Sequence, residues 1–207
     1  MRGLFNPDSW FMRYGAKLWD IMWINVLVIV CSLPVITLGA SLTAMHYVML
    51  KIVRDEENGV TKAFFKAFAQ NFKQAAVMEL GLAAAVYLLL TSMQLLKSQG
   101  SALYYAAIVL LAVVLCVWLW MIILQSRYYN PVMKTAKIAL AACISHPLRT
   151  ILMAILFVLP FFLLLFTYDA LLLVLGMGFT LPGVTQAILY NDVFKKLEYD
   201  PAQQEGS

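Results

Sequence analysis

Ile21 to Tyr47 contains no formally charged side chain, and four later stretches of similar length, 75–96, 102–126, 150–168 and 170–190, hold only Glu79 between them. A hydrocarbon core about 30 Å thick takes about 20 helical residues to cross, so each stretch has the length of a membrane span. In lipid the backbone polar groups must be satisfied within a helix or around a closed barrel. Period-two alternation is absent, which excludes the barrel. Composition agrees: 63% of the 207 residues are hydrophobic and 13% are charged, about half the charged share of an average soluble domain. The expected fold is therefore all-α, a polytopic membrane helical bundle forming one integral membrane domain over 1–207. Disorder, collagen and nucleic-acid binding are poor readings, because a net charge of +4 is modest and the basic residues border apolar runs.

The expected order is an N-terminal interfacial segment over 1–19, a first span over 20–50, a surface helix over 61–74, and spans over 75–96, 102–126, 150–168 and 170–190. A cytoplasmic tail over 191–207 closes it. No cleavable signal peptide is expected, since the first sustained apolar run begins near Leu18 with no short segment and cleavage site before it. The first run is longer than one perpendicular crossing and carries Pro34 and Gly39. Proline removes a backbone donor and clashes with the preceding turn, so a kinked span is expected, with a re-entrant hairpin as the alternative. Lys and Arg collect on cytoplasmic flanks. Lys51, Arg54, Lys62, Lys66 and Lys73 follow the first span, Arg127, Lys134, Lys137 and Arg149 follow the third, and Lys195 and Lys196 follow the fifth. Arg2, Arg13, Lys17 and Lys97 fall on the other side. Five spans then give a bacterial cell-membrane protein with its N-terminus outside and its C-terminus in the cytoplasm.

Phe64, Phe68 and Phe72 recur every four residues with Phe65 beside them, while Lys62, Lys66, Gln70 and Lys73 line another stripe. That pattern predicts an amphipathic helix at the headgroup boundary, its rings in the acyl region and its ammonium groups toward anionic lipid or a partner. Trp19, Trp23, Trp118 and Trp120 fit interfacial belts. A shift of 76 positions sets Lys51 on Arg127, Phe64 on Leu140, Phe72 on Leu148 and Lys73 on Arg149, which suggests an internal repeat in parallel orientation. Leu33-Pro-Val-Ile-Thr37 also echoes Leu181-Pro-Gly-Val-Thr185.

Ionisable groups at membrane depth are costly and are functional candidates by default. Asp20, Asp169 and Asp192 lie at span ends, where water is close. Glu79 lies deeper, and either pairs with an interfacial base or points into the bundle as a proton or cation site. Asn25, Thr37 and Thr185 can hydrogen-bond across helices, and helix packing is their default role. The sharper reading brings the two proline-bearing segments face to face, so that Asn25, Thr37, Glu79 and Thr185 line a polar cavity of the kind broken helices build in transporters. Cys31, Cys116 and Cys143 have no paired spacing and read as packing residues. His46 and His146 are the only histidines, too few for the three or four ligands of a metal site. No nucleotide-binding loop or nucleophile elbow occurs, so no catalytic residue, metal or cofactor is expected.

Asn25, Leu33-Pro-Val-Ile-Thr-Leu-Gly-Ala40, Thr43-Ala44, Lys51, Arg54, Phe68 and Asn71-Phe72 together resemble the YesL-like family of bacterial integral membrane proteins, a domain family of unknown function frequent in Gram-positive bacteria. The resemblance covers nearly the whole chain and is most specific over residues 20 to 75. Members are often encoded near carbohydrate-uptake and polysaccharide-degrading systems, which implies an accessory or transport role and brings no catalytic residues. Three readings follow. One is a non-enzymatic accessory component of carbohydrate or solute uptake, contacting the bilayer and a sugar ABC-type transporter complex through Lys62, Lys66 and Lys73. The second is a small transporter or channel subunit acting as a homo-oligomer. The third, a membrane enzyme acting on lipid or lipid-linked sugar, is disfavoured by the sparse acid, histidine and cysteine inventory.

Overall fold

The computed structural model describes residues 10–56, 59–97, 102–166 and 170–198, and all regular structure among them is helical. The elements are α1 (Trp10–Cys31), a 3₁₀ turn (Val35–Thr37), α2 (Leu38–Val53), α3 (Val60–Lys97), α4 (Ala102–Arg127), α5 (Val132–Ser145), α6 (Pro147–Phe166), α7 (Ala170–Leu173), a π-helical turn (Val174–Gly178) and α8 (Thr180–Glu198). Four helical stretches are long and apolar enough to cross a membrane: Val35–Val53, Val60–Lys97, Ala102–Arg127 and Pro147–Leu165. Leu171–Gly178 and Thr180–Lys195, bent by 42° at their junction, make a fifth if taken as one broken span. The all-α membrane bundle read from the apolar runs is thus the architecture found.

The first apolar run differs from the single kinked span expected over 20–50. The helix stops at Cys31 and restarts at Leu38, with Pro34 preceding the 3₁₀ turn in extended conformation. The Thr37 hydroxyl donates to the carbonyls of Cys31 and Pro34 at 2.5 and 2.7 Å, closing the turn. Lys17 on α1 then forms an ion pair with Asp55, just beyond α2. One continuous helix would hold those residues about 57 Å apart at about 1.5 Å per residue, so α1 and α2 must be antiparallel arms of a hairpin. The physical cause is the proline, which lacks the donor that a helix needs there. A second expectation changes with it. Lys17 lies at the same end of the hairpin as Arg54, whereas the five-span reading sets the two on opposite sides.

The surface helix expected over 61–74 and the span expected over 75–96 are one helix. No proline or glycine interrupts Lys73-Gln-Ala-Ala76, so nothing ends the hydrogen-bond ladder between them. At 38 residues α3 is about 57 Å long, nearly twice the hydrocarbon thickness. Its basic first half therefore stands outside the apolar layer when the second half crosses it. The phenylalanine stripe does not face lipid as expected. Phe64 is fully buried, and Phe68 and Phe72 are half-buried against the core, leaving Phe65 exposed. Trp118 and Trp120 are also buried, whereas Trp19 and Trp23 stay exposed as an interfacial belt requires.

The core lies where α2, the first half of α3, the end of α4 and α8 meet, around Met45, Met49, Phe64, Ile123, Tyr190 and Phe194. A helix followed by one packed upon it occurs twice, as α2 with α3 and as α4 with α5. The second copy is broken at His146-Pro147, where α3 runs on without a gap. In the far half, α3, α4 and α6 leave Leu80, Leu88, Val109, Ile155 and Leu165 exposed, the outward apolar surface a span presents to lipid. Arg54 Nε donates to Asn191 Oδ1 at 2.8 Å, and Arg149 lies 3.9 Å from Asp192, so the charged ends of α2, α6 and α8 gather together.

Candidate functional site

The four residues proposed to line a polar cavity do not converge. Asn25 is completely buried in α1. Its Nδ2 donates to the carbonyls of Val174 and Leu175 at 3.0 and 2.8 Å, while its Oδ1 accepts from the Phe179 and Thr180 amides at 2.9 and 3.2 Å. A π-turn breaks the regular ladder and leaves backbone groups without helical partners; this asparagine amide supplies both kinds. Gly178 is required beside it, because a Cβ there would lie 2.7 Å from Val174. Asn25 is thus the clamp of the bend between α7 and α8.

Thr37 is spent on closing the α1–α2 turn, as above. Thr185 is exposed on α8 and donates to the Leu181 carbonyl in its own helix at 3.1 Å. The two proline segments also part company. Pro34 is exposed, whereas Pro182 sits in the first turn of α8, where a missing donor is tolerated, beside a small apolar void shared with Leu42, Met45, Phe157 and Pro160.

Glu79 is buried as well, but its carboxylate is not spent on a helix break. It is 9% exposed, and its Oε2 is fully buried without a hydrogen bond. The carboxylate packs on Gly39 of α2, where a Cβ would lie 3.1 Å from Oε2 and 3.2 Å from the Ala75 carbonyl. The Trp118 indole of α4 stands beside it, its own Nε1 buried and unbonded. A glycine at 39 is what lets α2 and α3 close over this acid.

Lys62, Lys66 and Lys73 are exposed along α3, open to a lipid surface or a partner. His46 is buried with its ring edge-on to Tyr190, centroids 5.8 Å apart, and the Tyr190 hydroxyl donates to the His46 carbonyl at 3.1 Å. His146 caps the end of α5 as the chain turns into α6. Among the described residues no three His, Cys, Asp or Glu side chains gather as a metal site would require. Asp169 lies outside the described residues.

The sequence reading missed a buried amide belt. Gln125 Nε2 donates to Asn71 Oδ1 at 3.1 Å and also to Gln74 Oε1, and the Thr135 hydroxyl donates to Gln125 Oε1 at 3.3 Å. It ties α3, α4 and α5 together. Its signal was the placement of Gln74 and Gln125 at the ends of two apolar runs, where polar side chains have partners to find. Beyond the belt, α3 and α5 flank α4 to form an open groove of about 470 Å³ lined by Val77, Gly81, Ala85, Val113, Val117 and Leu140, among others. Its walls are almost wholly apolar.

Residues 21–93 match a family model described as "Protein of unknown function, DUF624". The matched segment takes in the end of α1, the proline turn, α2 and most of α3, including Asn25, Gly39 and Glu79. It overlaps the region that carries the YesL-like resemblance and agrees with it. No curated protein and no solved structure matches the chain.

Proposed function

We propose that this chain is a non-enzymatic accessory component of solute uptake in a bacterial cell membrane, with carbohydrate as the solute class its YesL-like resemblance implies. One observation carries the reading over that of a transporter. Asn25, Thr37 and Thr185, which would have to line a hydrophilic path, are each engaged with helix backbone, and the groove between α3, α4 and α5 is apolar. A conducting path needs polar groups that face it. Side chains already committed to holding helices together favour a protein that acts by contact.

The cytoplasmic face in this reading is the end bearing Lys17, Arg54, Arg149 and the close of α8. The hairpin of α1 and α2 supports that orientation, because it joins Lys17 to the basic residues after α2 and leaves Lys97, among the basic side chains described, across the bilayer. The start of α1 and the end of α8 then share the cytoplasmic side, where Lys62 and Lys66 are free to meet a transporter.

A mild-detergent pull-down of the tagged protein from membranes of its own host, read by mass spectrometry, tests this. Recovery of sugar-transporter permease or ATPase subunits, lost in Lys62→Glu with Lys66→Glu, supports it. Recovery of the protein alone as a defined homo-oligomer favours the transporter or channel reading, whose specific support is the buried Glu79, with its Oε2 lacking a hydrogen bond.

A further inference from the structure

We infer that the groove between α3, α4 and α5 binds an anionic glycerophospholipid, one acyl chain lying along its apolar walls and the phosphate held by Lys73 and Lys137. The lining is Val77, Gly81 and Ala85 on α3, Val113 and Val117 on α4, and Leu140 on α5, enclosing about 470 Å³. That volume is in the ordinary range of small-molecule sites. From Val77 to Ala85 the wall rises about 12 Å, which is within one leaflet of a core about 30 Å thick. Gly81 contributes depth, since nothing approaches within 4 Å of where its Cβ would be.

Charge decides between lipid and a neighbouring apolar helix as occupant. Lys73 precedes Val77 by four residues on α3, and Lys137 precedes Leu140 by three on α5, so an exposed ammonium neighbours a rim residue on each wall. Among the described residues of the three walls, no acid opposes them. Neither α4 nor α5 contains Asp or Glu, and the single acid of α3, Glu79, is turned away against Gly39 of α2. Two lysines at the headgroup end of an apolar cleft, with no carboxylate facing it, complement a phosphate above an acyl chain.

The test uses the full chain, delipidated in mild detergent and offered phosphatidylglycerol or phosphatidylcholine of identical acyl composition, with bound lipid read by native mass spectrometry. Phosphatidylglycerol should be retained in preference. Lys73→Gln with Lys137→Gln should lower its retention roughly tenfold, toward that of phosphatidylcholine, while Lys97→Gln at the far end of α3 leaves it unchanged. Gly81→Leu, which fills the groove, should lower retention of both lipids. Both lysines are exposed, so the paired variant keeps the test open if Gly81→Leu fails to fold. Equal retention of the two lipids, or wild-type retention by the lysine pair, overturns the inference. So does cross-linking of Gly81→Cys in native membranes to the helix of another protein, which would make a partner the occupant. The measurement uses the isolated chain, so its failure leaves the accessory reading standing.

Discussion

Asn25 and Thr180 lie far apart in sequence, yet the Thr180 amide and hydroxyl both donate to Asn25 Oδ1, at 3.2 and 3.4 Å. With Nδ2 on the carbonyls of Val174 and Leu175, one side chain from α1 satisfies both edges of the π-turn. Leucine at this position keeps the branched shape and removes every one of those bonds. Each buried backbone group left without a partner costs about 1–3 kcal/mol, so Asn25→Leu, which strips several, should lower stability by at least about that amount. Thermal unfolding in detergent checks it, and an unchanged midpoint would mean that the bend holds without the clamp.

The antiparallel pairing of α1 with α2 predicts a labelling pattern. In a background with Cys31, Cys116 and Cys143 replaced, Lys17→Cys and Asp55→Cys should both react with a membrane-impermeant maleimide from the same side of sealed vesicles. Their ion pair requires it. Labelling from opposite sides would restore a single crossing through Pro34 and discard the hairpin.

Gly39 is a tight contact of α2 with α3, where an added Cβ would lie 3.1 Å from Glu79 Oε2 and 3.2 Å from the Ala75 carbonyl. The backbone carbonyl cannot give way as a side chain can. Gly39→Val should therefore destabilise by about 1–3 kcal/mol through overpacking. The milder Gly39→Ala should be partly rescued by Glu79→Ala, since that removes one of the two contacts. A double-mutant cycle in detergent measures the coupling, and strictly additive effects would show that the helices do not meet here.

The bundle was legible in the sequence because lipid imposes one rule, charge-free helical runs of fixed length, and that rule survives any detail of packing. What was not legible came from partners distant along the chain. Pro34 announces a break, but only Lys17 meeting Asp55 distinguishes a kink from a hairpin. The Phe64–Phe68–Phe72 stripe has the same period whether it faces lipid or α2, and the core rather than the bilayer takes it. Asn25 stands out in the sequence as a polar group within an apolar run. Its use could not be read, because the groups it satisfies exist only once Val174–Gly178 winds as a π-turn.

Glu79 separates the two functional readings. Its Oε2 is buried without a hydrogen bond, between Gly39 and the Trp118 indole. A carboxylate so placed is costly to keep charged at membrane depth, whereas a carboxamide of nearly the same shape carries no charge to desolvate. If the acid serves only packing, Glu79→Gln should match or exceed wild-type stability, by up to about 2 kcal/mol, and should leave partner recovery in the pull-down intact. Purified protein in liposomes should then show no solute-dependent flux in either form. If instead Glu79 carries a proton or cation, the wild type should support flux that Glu79→Gln abolishes while its unfolding midpoint holds or rises. That second pattern, loss of transport without loss of fold, would displace the accessory reading in favour of a transporter.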